Sequence, residues 1–336
     1  MANRNNTHLR KANKSKNDEF YTQLSDVEKE VRHYKEQFKD KVVFCNCDDP
    51  RVSNFFHYFS YNFEQLGLKK LITTCYKNQN RDLFSENNSE RAIYLEYTAD
   101  KDGNNVPDPE EIGIKQFKSD GDFRSEECIE LLKQSDIVVT NPPFSLFREY
   151  VAQLVKYEKK FLIIGTWNAI TYKEIFKLIK NNKLWLGVNS NRNFSGFIVP
   201  KHYPLHGTEA RIDENGNRIV SSNNTCWFTN LEITKRHEEL ILYKTYNEAE
   251  YPKYDNYDAI NVNVTKDIPC DYNGAMGVPI TFIDKYNPDQ FEIVSANDIR
   301  VGENVPFKEH GLIKDKEGAI NGKPTYVRIV IKNKRL

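Results

Sequence analysis

"DIVVTNPPFSLF", residues 136–147, sets an apolar β-branched run directly against an asparagine, two prolines and a phenylalanine. The run reads as a buried strand. Pro142 and Pro143 fix their own φ and remove two backbone donors, and Pro142 also biases Asn141 away from the helical region. The result is a stiff loop with its carbonyls pointing outward. Asn141 adds a side-chain carbonyl and Phe144 an aromatic face, a combination that can hold a planar group bearing an amino substituent. An open parallel sheet binds ligands beyond the carboxyl ends of its strands. The surrounding elements therefore decide whether this loop is a site or only a turn into the helix after Ser145.

Both flanks supply strands and helices in alternation. "SDVEKEVRHYKEQF" (25–38) puts Ser25 and Glu28 in capping-box register, with Val27, Val31, Tyr34 and Phe38 at helical spacing. "KVVFCNC" (41–47) is predicted as a strand, "DDPRVSNFFHYFSYNFEQLG" (48–67) as a helix with an aromatic face ending at Gly67, and "KKLITTCY" (69–76) as the next strand. Residues 77–119 are polar and interrupted apart from the strand-like "AIYLEY" (92–97), and read as an insertion on the surface of the sheet. Ser125 then begins the helix "EECIELLKQ". "DIVVT" is a strand, "SLFREYVAQLVKY" a helix, "KFLIIG" a strand, "YKEIFKLIKNN" a helix capped by Thr171 and Glu174, and "KLWLGV" a strand. Strands separated by helices of about ten residues predict a doubly wound, mostly parallel α/β sheet with helices on both faces.

The character changes after residue 188. "RIDENGNRIV" is a hairpin centred on Asn215-Gly216, and "NTCWFTNL", "VPITFID" and "TYVRIVIKN" are strand candidates without regular helices between them. Three regions follow: a mobile basic arm (1–17), an α/β domain with an insertion (18–188, insertion 77–119), and a β-rich region that completes the sheet and adds a module (189–336). Lys+Arg and Asp+Glu balance at 48 each, so a nucleic-acid surface has to come from local clustering. Residues 1–17 cluster Arg4, Arg10, Lys11, Lys14 and Lys16 with no acidic residue. No run approaches the roughly 18 apolar residues of a membrane span, and no secretory signal is present, which predicts a cytoplasmic protein with no membrane partner. Cys45 and Cys47 have no second close pair to complete a zinc site, so all six cysteines read as reduced thiols and no metal is expected.

The quartet Asn141-Pro142-Pro143-Phe144 at a strand's carboxyl end resembles the amino-methyltransferase signature [DNS]-P-P-[YFW]. "SDGDFRS" (119–125) resembles the Asp-Phe element of adenine methyltransferases, and "DEFYT" (18–22) the segment that closes over the methionine part of their cofactor. "KSKNDEFYTQ", "CNCDDPRVSNFF", "SDIVVTNPPFSLFREY", "FLII", "SGFIVP", "GTEARID", "YPKYDNYDAINVN" and "MGVPITF" follow in the order of the EcoRI-type adenine-specific DNA methyltransferases, over nearly the whole chain.

That resemblance implies a Rossmann-like fold dependent on S-adenosyl-L-methionine, with added β-rich DNA-recognition elements. It also implies a monomer without an obligate protein partner that methylates the 6-amino group of an adenine flipped out of double-stranded DNA, within GAATTC. Such an enzyme is the modification half of a restriction-modification pair. Asn141, Pro142, Pro143 and Phe144 would be catalytic. Phe20, Tyr21, Thr22, Asp122 and Phe123 would bind the cofactor, with Asp48 or Asp49 near its amino acid group and Tyr76 packing against it. The first strand ends in "CNCDDP", where the family of folds usually carries a glycine-rich loop. DNA contacts are expected from Arg10, Lys11, Lys14, Lys16, Arg192, Lys201, Arg211 and Arg218. Trp227 is either a support for the flipped base or a core aromatic. Two readings compete: methylation of RNA or of a protein glutamine amide, and a catalytically silent DNA-binding protein on the same fold.

Overall fold

Residues 21–47, 53–75, 92–99, 112–190, 194–199, 210–220, 224–302 and 317–336 are described by a computed structural model of the chain. In chain order the first unit carries β1 (Tyr21–Thr22), α1 (Leu24–Val31), β2 (Val42–Cys45), α2 (Asn54–Tyr61), β3 (Lys70–Cys75), β4 (Ile93–Tyr97), β5 (Gly113–Gln116), α3 (Glu126–Gln134), β6 (Ile137–Thr140), α4 (Phe147–Lys156) and β7 (Lys160–Thr166). After α5 (Lys173–Lys180) come β8 (Trp185–Ser190), β9 (Phe197–Val199), β10 (Arg211–Ile212), β11 (Arg218–Val220) and β12 (Thr225–Thr229). The remaining strands are β13 (Ile260–Asn261), β14 (Met276–Pro279), β15 (Phe291–Ala296), β16 (Ala319–Ile320), β17 (Lys323–Pro324) and β18 (Arg328–Asn333). The chain divides into two compact units, Met1–Trp167 with Gly187–Leu231, and Asn168–Leu186 with Glu232–Leu336.

The first unit is a mixed α/β structure around an eight-stranded sheet in the order β5-β4-β3-β2-β6-β7-β12-β8. The four strands β3, β2, β6 and β7 run parallel, and β4, β5 and β12 join antiparallel. Parallel strands need long crossovers, which α2, α3 and α4 occupy, packing on β3, β2 and β7. Strands covered in this way read as unbroken apolar runs, and every residue of β2 and β6 is buried. From β2 the chain steps outward to β3, then returns to place β6 on the other side of β2. The strand order thus reverses between β2 and β6, and the carboxyl ends of those two strands flank the crevice where open sheets bind ligands.

Three sequence expectations need correction. Ser25 does not cap α1: the helix starts at Leu24 with Gln23 at the cap, two residues earlier, and the Gln23 side chain donates instead to the Gly196 carbonyl at 2.8 Å. Thr171 does not cap α5 either, because its hydroxyl donates to the Asn168 carbonyl and Tyr172 holds the cap position. Residues 92–97 form the expected strand but within the sheet rather than on its surface: β4 pairs with β3 from Leu71 to Cys75, and β5 extends the sheet beyond it. Val27, Val31, Tyr34 and Phe38 are all buried as expected, although the helix changes to a 3-10 turn over Arg32–Tyr34. Gly67 closes the aromatic helix region in the left-handed conformation. All six cysteines are free thiols.

A second, four-stranded sheet in this unit runs β1-β9-β11-β10. It joins Thr22 to Phe197, and Phe197 to Val220, and its outer edge is the expected hairpin at Asn215-Gly216. The second unit packs α5 on β15 of a separate sheet, β13-β14-β18-β15, with β16 and β17 as a small hairpin. Its core includes Met276, Phe282, Phe291, Ile329 and Ile331, and there Arg236 lies over the Trp185 ring at 3.8 Å.

Candidate active site

The loop after β6 emerges between β2 and β7, so Asn141 stands at the carboxyl edge of the sheet's centre. Asn141 and Pro142 are buried, while Pro143 and Phe144 are half-buried. Pro143 is extended, and its carbonyl accepts from Leu146 N at 3.0 Å to start the 3-10 turn Phe144–Leu146. That carbonyl is therefore engaged in starting the turn, and the proline acceptor adjoining Asn141 is the Pro142 carbonyl. The loop is short because the turn leads straight into α4, where Phe147 and Tyr150 are buried.

An aromatic series runs from this loop into the core. Phe144 meets Phe197 edge-on at 6.2 Å, and Phe197 lies 6.5 Å from Phe194. Phe194 stacks at 5.9 Å on Trp227, which also meets the Phe55 edge at 6.1 Å. Trp227 is wholly buried on β12, opposite Ile164 of β7. Its indole is thus a core aromatic that supports Phe194.

On the other side of β6, the Thr140 hydroxyl donates to the Asn46 carbonyl and the Tyr150 hydroxyl to Asn46 Oδ1. Asn46 ties the ends of β2 and β6 to α4. Cys47 beside it has φ of 84°, the left-handed region that L residues seldom enter, at the point where a glycine-rich loop is usual in such sheets. Tyr150 also packs edge-on against Phe123 at 5.1 Å, and Gln153 Nε2 donates to the Phe123 carbonyl at 2.9 Å. The turn before Phe123 requires Gly121, whose φ is 78°. Arg124 grips both oxygens of Asp122, with Nε to Oδ1 at 2.8 Å and Nη2 to Oδ2 at 2.7 Å. That guanidinium holds the Asp122 carboxyl below the usual carboxylate range, so it is ionised and accepting near neutral pH.

Tyr21 and Thr22 reach the same region through β1. Thr22 is buried, its carbonyl accepts from Asn54 Nδ2 at 2.8 Å, and its hydroxyl has no hydrogen-bond partner among the described residues. Arg211 and Arg218 lie on the hairpin, where Arg211 donates to the Ser195 carbonyl at 2.8 Å. Phe20, Asp48, Asp49, Tyr76, Arg10, Lys11, Lys14, Lys16, Arg192 and Lys201 lie outside the described residues. Among the described residues no cluster of His, Cys, Asp and Glu could hold a metal ion, and no helix is long and apolar enough to cross a membrane.

Residues 8–334 match the family described as "Adenine-specific methyltransferase EcoRI". The chain belongs to this family. It is therefore an adenine-specific methyltransferase, as the order of its motifs over nearly the whole chain led one to expect. Among its curated relatives in the EcoRI family, the Type II methyltransferase M.EcoRI of Escherichia coli is 59% identical over 99% of this chain and 98% of its own length. M.MgeORF184P of Mycoplasma genitalium is 42% identical over 98% of this chain and 99% of its own, and M.MpnI of Mycoplasma pneumoniae 37% identical over 98% of each. No solved structure matches the chain.

Sequence reading missed Asn46, Tyr150, Asp26 and Glu30. A signal existed for the last two: they sit four residues apart on α1, next to Val27 and Val31 on the buried stripe. Glu30 accepts from Val188 N at 2.8 Å, Asn189 N at 2.7 Å and the Tyr34 hydroxyl at 2.7 Å, and Asp26 accepts from Ser195. Burial pushes both carboxyls above their usual range against the pull of those donors.

Proposed function

We propose that this methyltransferase acts on duplex DNA, transferring the methyl group of S-adenosyl-L-methionine to the 6-amino group of an adenine flipped out of GAATTC. The observation that carries this reading is the position of the Asn141–Phe144 quartet, at the reversal of strand order in a central parallel sheet. We read the first unit as a Rossmann-like doubly wound fold on that strand order. We further propose that the chain works as a monomer in the cytoplasm and protects its sites from a cognate endonuclease.

A duplex buries the adenine amino group in the base pair, and extruding the base costs a few kcal/mol. Asn141 Oδ1 and the Pro142 carbonyl accept from the amine, turning its lone pair away from the ring, and Phe144 stacks on the base. The cofactor, when bound, supplies a methyl group on an already reactive sulfonium. The chain's contribution is then orientation rather than proton transfer, in keeping with a loop that carries no strong base.

The donor set fits such a cofactor. The buried Thr22 hydroxyl has an open hydrogen-bonding position on the β1 segment, and ionised Asp122 can accept from an adenine amino group beside Phe123. We assign Tyr21, Thr22, Asp122 and Phe123 to the cofactor, together with Phe20, Tyr76 and Asp48 or Asp49. For DNA we assign the basic residues of 1–17, with Arg192, Lys201, Arg211 and Arg218 of the region from 189 onward, as phosphate contacts that position the duplex.

The test is tritium transfer from labelled S-adenosyl-L-methionine to two duplexes, one containing GAATTC and one with those six bases scrambled. RNA and a glutamine-bearing protein serve as controls. Label on the first duplex alone is expected. Label on both duplexes overturns the specificity, and label only on RNA or protein overturns the substrate class.

A further inference from the structure

The segment that meets Phe144 is not part of the large sheet. It comprises residues 194–199, and α1 grips it. Asp26 is only 3% exposed, and its oxygens accept the Ser195 backbone N–H at 2.9 and 3.1 Å and the Ser195 hydroxyl at 2.9 Å. Gln23 Nε2 donates to the carbonyl of the next residue, Gly196, at 2.8 Å. The Ser195 carbonyl accepts from Arg211 of the hairpin. Gly196 has φ of 103°, and a Cβ there would lie 2.8 Å from the Val220 carbonyl oxygen, so the backbone has little freedom to reach this position in another way. On either side of the gripped pair stand Phe194, stacked on buried Trp227, and Phe197, set edge-on to Phe144.

We propose that Asp26 is a positioning residue for methyl transfer: by holding Ser195 it fixes the 194–199 strap whose Phe197 braces Phe144. The proposal rests on the reading of the Asn141–Phe144 loop as the target pocket. Burying a carboxylate is unfavourable unless its lone pairs are satisfied, and among the described residues the hydrogen-bond donors to Asp26 belong to Ser195. Lys29 stands at 3.8 Å on the same helix and is half exposed, so the strap is the principal partner among the described residues. Loss of the grip releases Phe197 from Phe144 while leaving the parallel sheet and the Asn46 network intact.

The experiment measures kcat, KM for a cognate duplex and cofactor affinity for Asp26→Ala, Asp26→Asn, Ser195→Ala and Phe144→Ala, and for the Asp26→Ala/Phe144→Ala pair. Small misplacements at a reacting centre cost up to about a hundredfold. Asp26→Ala is expected to lower kcat by about ten- to a hundredfold on that scale, with Asp26→Asn recovering part of the loss. In the Phe144→Ala background Asp26→Ala should add nothing, because the effect runs through that ring. If Asp26→Ala does not fold, Ser195→Ala, which deletes one side-chain bond, carries the same comparison. Full kcat in Asp26→Ala or Ser195→Ala overturns the proposal, and so does full additivity with Phe144→Ala. A Phe144→Ala enzyme of unchanged kcat instead overturns the pocket reading, and a slow Asp26→Ala beside it shows that Asp26 acts by another route.

Discussion

Asn141 and Cys47 stand at the carboxyl ends of neighbouring strands and answer to different constraints. In the proposed function Asn141 accepts from the target amine, so Asn141→Ala should lose methyl transfer by about 10²-fold or more, the usual effect of removing one positioned polar group. Its melting temperature and cofactor affinity should stay near the parent's, and single-turnover label transfer beside a thermal melt checks both halves. Cys47 is held at φ of 84°. That conformation costs a residue with a Cβ about 1–2 kcal/mol, and more for a β-branched one. Cys47→Gly should therefore unfold at no lower urea concentration than the parent, and Cys47→Val at a clearly lower one. A glycine would take up the Cys47 conformation without that cost.

At the level of elements, helix ends divide into those fixed by a side chain and those fixed by what precedes them. Ser125 Oγ accepts from Cys128 N at 3.3 Å and caps α3, which orients the Asp122-Phe123 turn. Ser125→Ala should cost about 1 kcal/mol of stability, whereas Ser25→Ala, exposed on the first turn of α1, should cost almost nothing; urea unfolding distinguishes them. On α1 the buried Glu30 makes stability depend on pH. Its folded-state pKa is raised by burial, so the folded chain binds that proton more tightly than the unfolded one. Its contribution is fully present below the ordinary glutamate value of about 4.3 and is lost as pH rises through the raised value. The stability of the parent relative to Glu30→Gln should fall over that window, measured by chemical unfolding at a series of pH values.

For the whole molecule, net charge is zero, so the salt dependence of DNA binding has to come from clustered basic side chains rather than from the bulk field. Removing residues 1–16 deletes Arg4, Arg10, Lys11, Lys14 and Lys16 and should weaken duplex binding with a shallower slope against salt, by about 0.9 for each phosphate that is no longer neutralised. An unchanged slope would show that the arm is a bystander. Much of the architecture was legible because local patterns and the sheet agree: β2, β3, β6 and β7 fall on their apolar runs, and α3 begins at its serine cap. Residues 92–97 were legible as a strand but not in their pairing, and 113–116 were not legible, since such a stretch says nothing about which edge it will join until β3 presents one. The same holds for the site. The Asn141–Phe144 quartet was readable because its chemistry is contiguous in the chain and its prolines fix the loop locally. Asn46, Tyr150, Asp26 and the Ser195–Phe197 strap come from separate segments, and nothing short-range links them. The alternation of elements and the Asn141–Phe144 loop can accordingly be read from local patterns along the chain. Which distant side chains brace that loop emerges only on folding, because a long-range contact depends on how the segments pack and leaves no periodic trace in either of them.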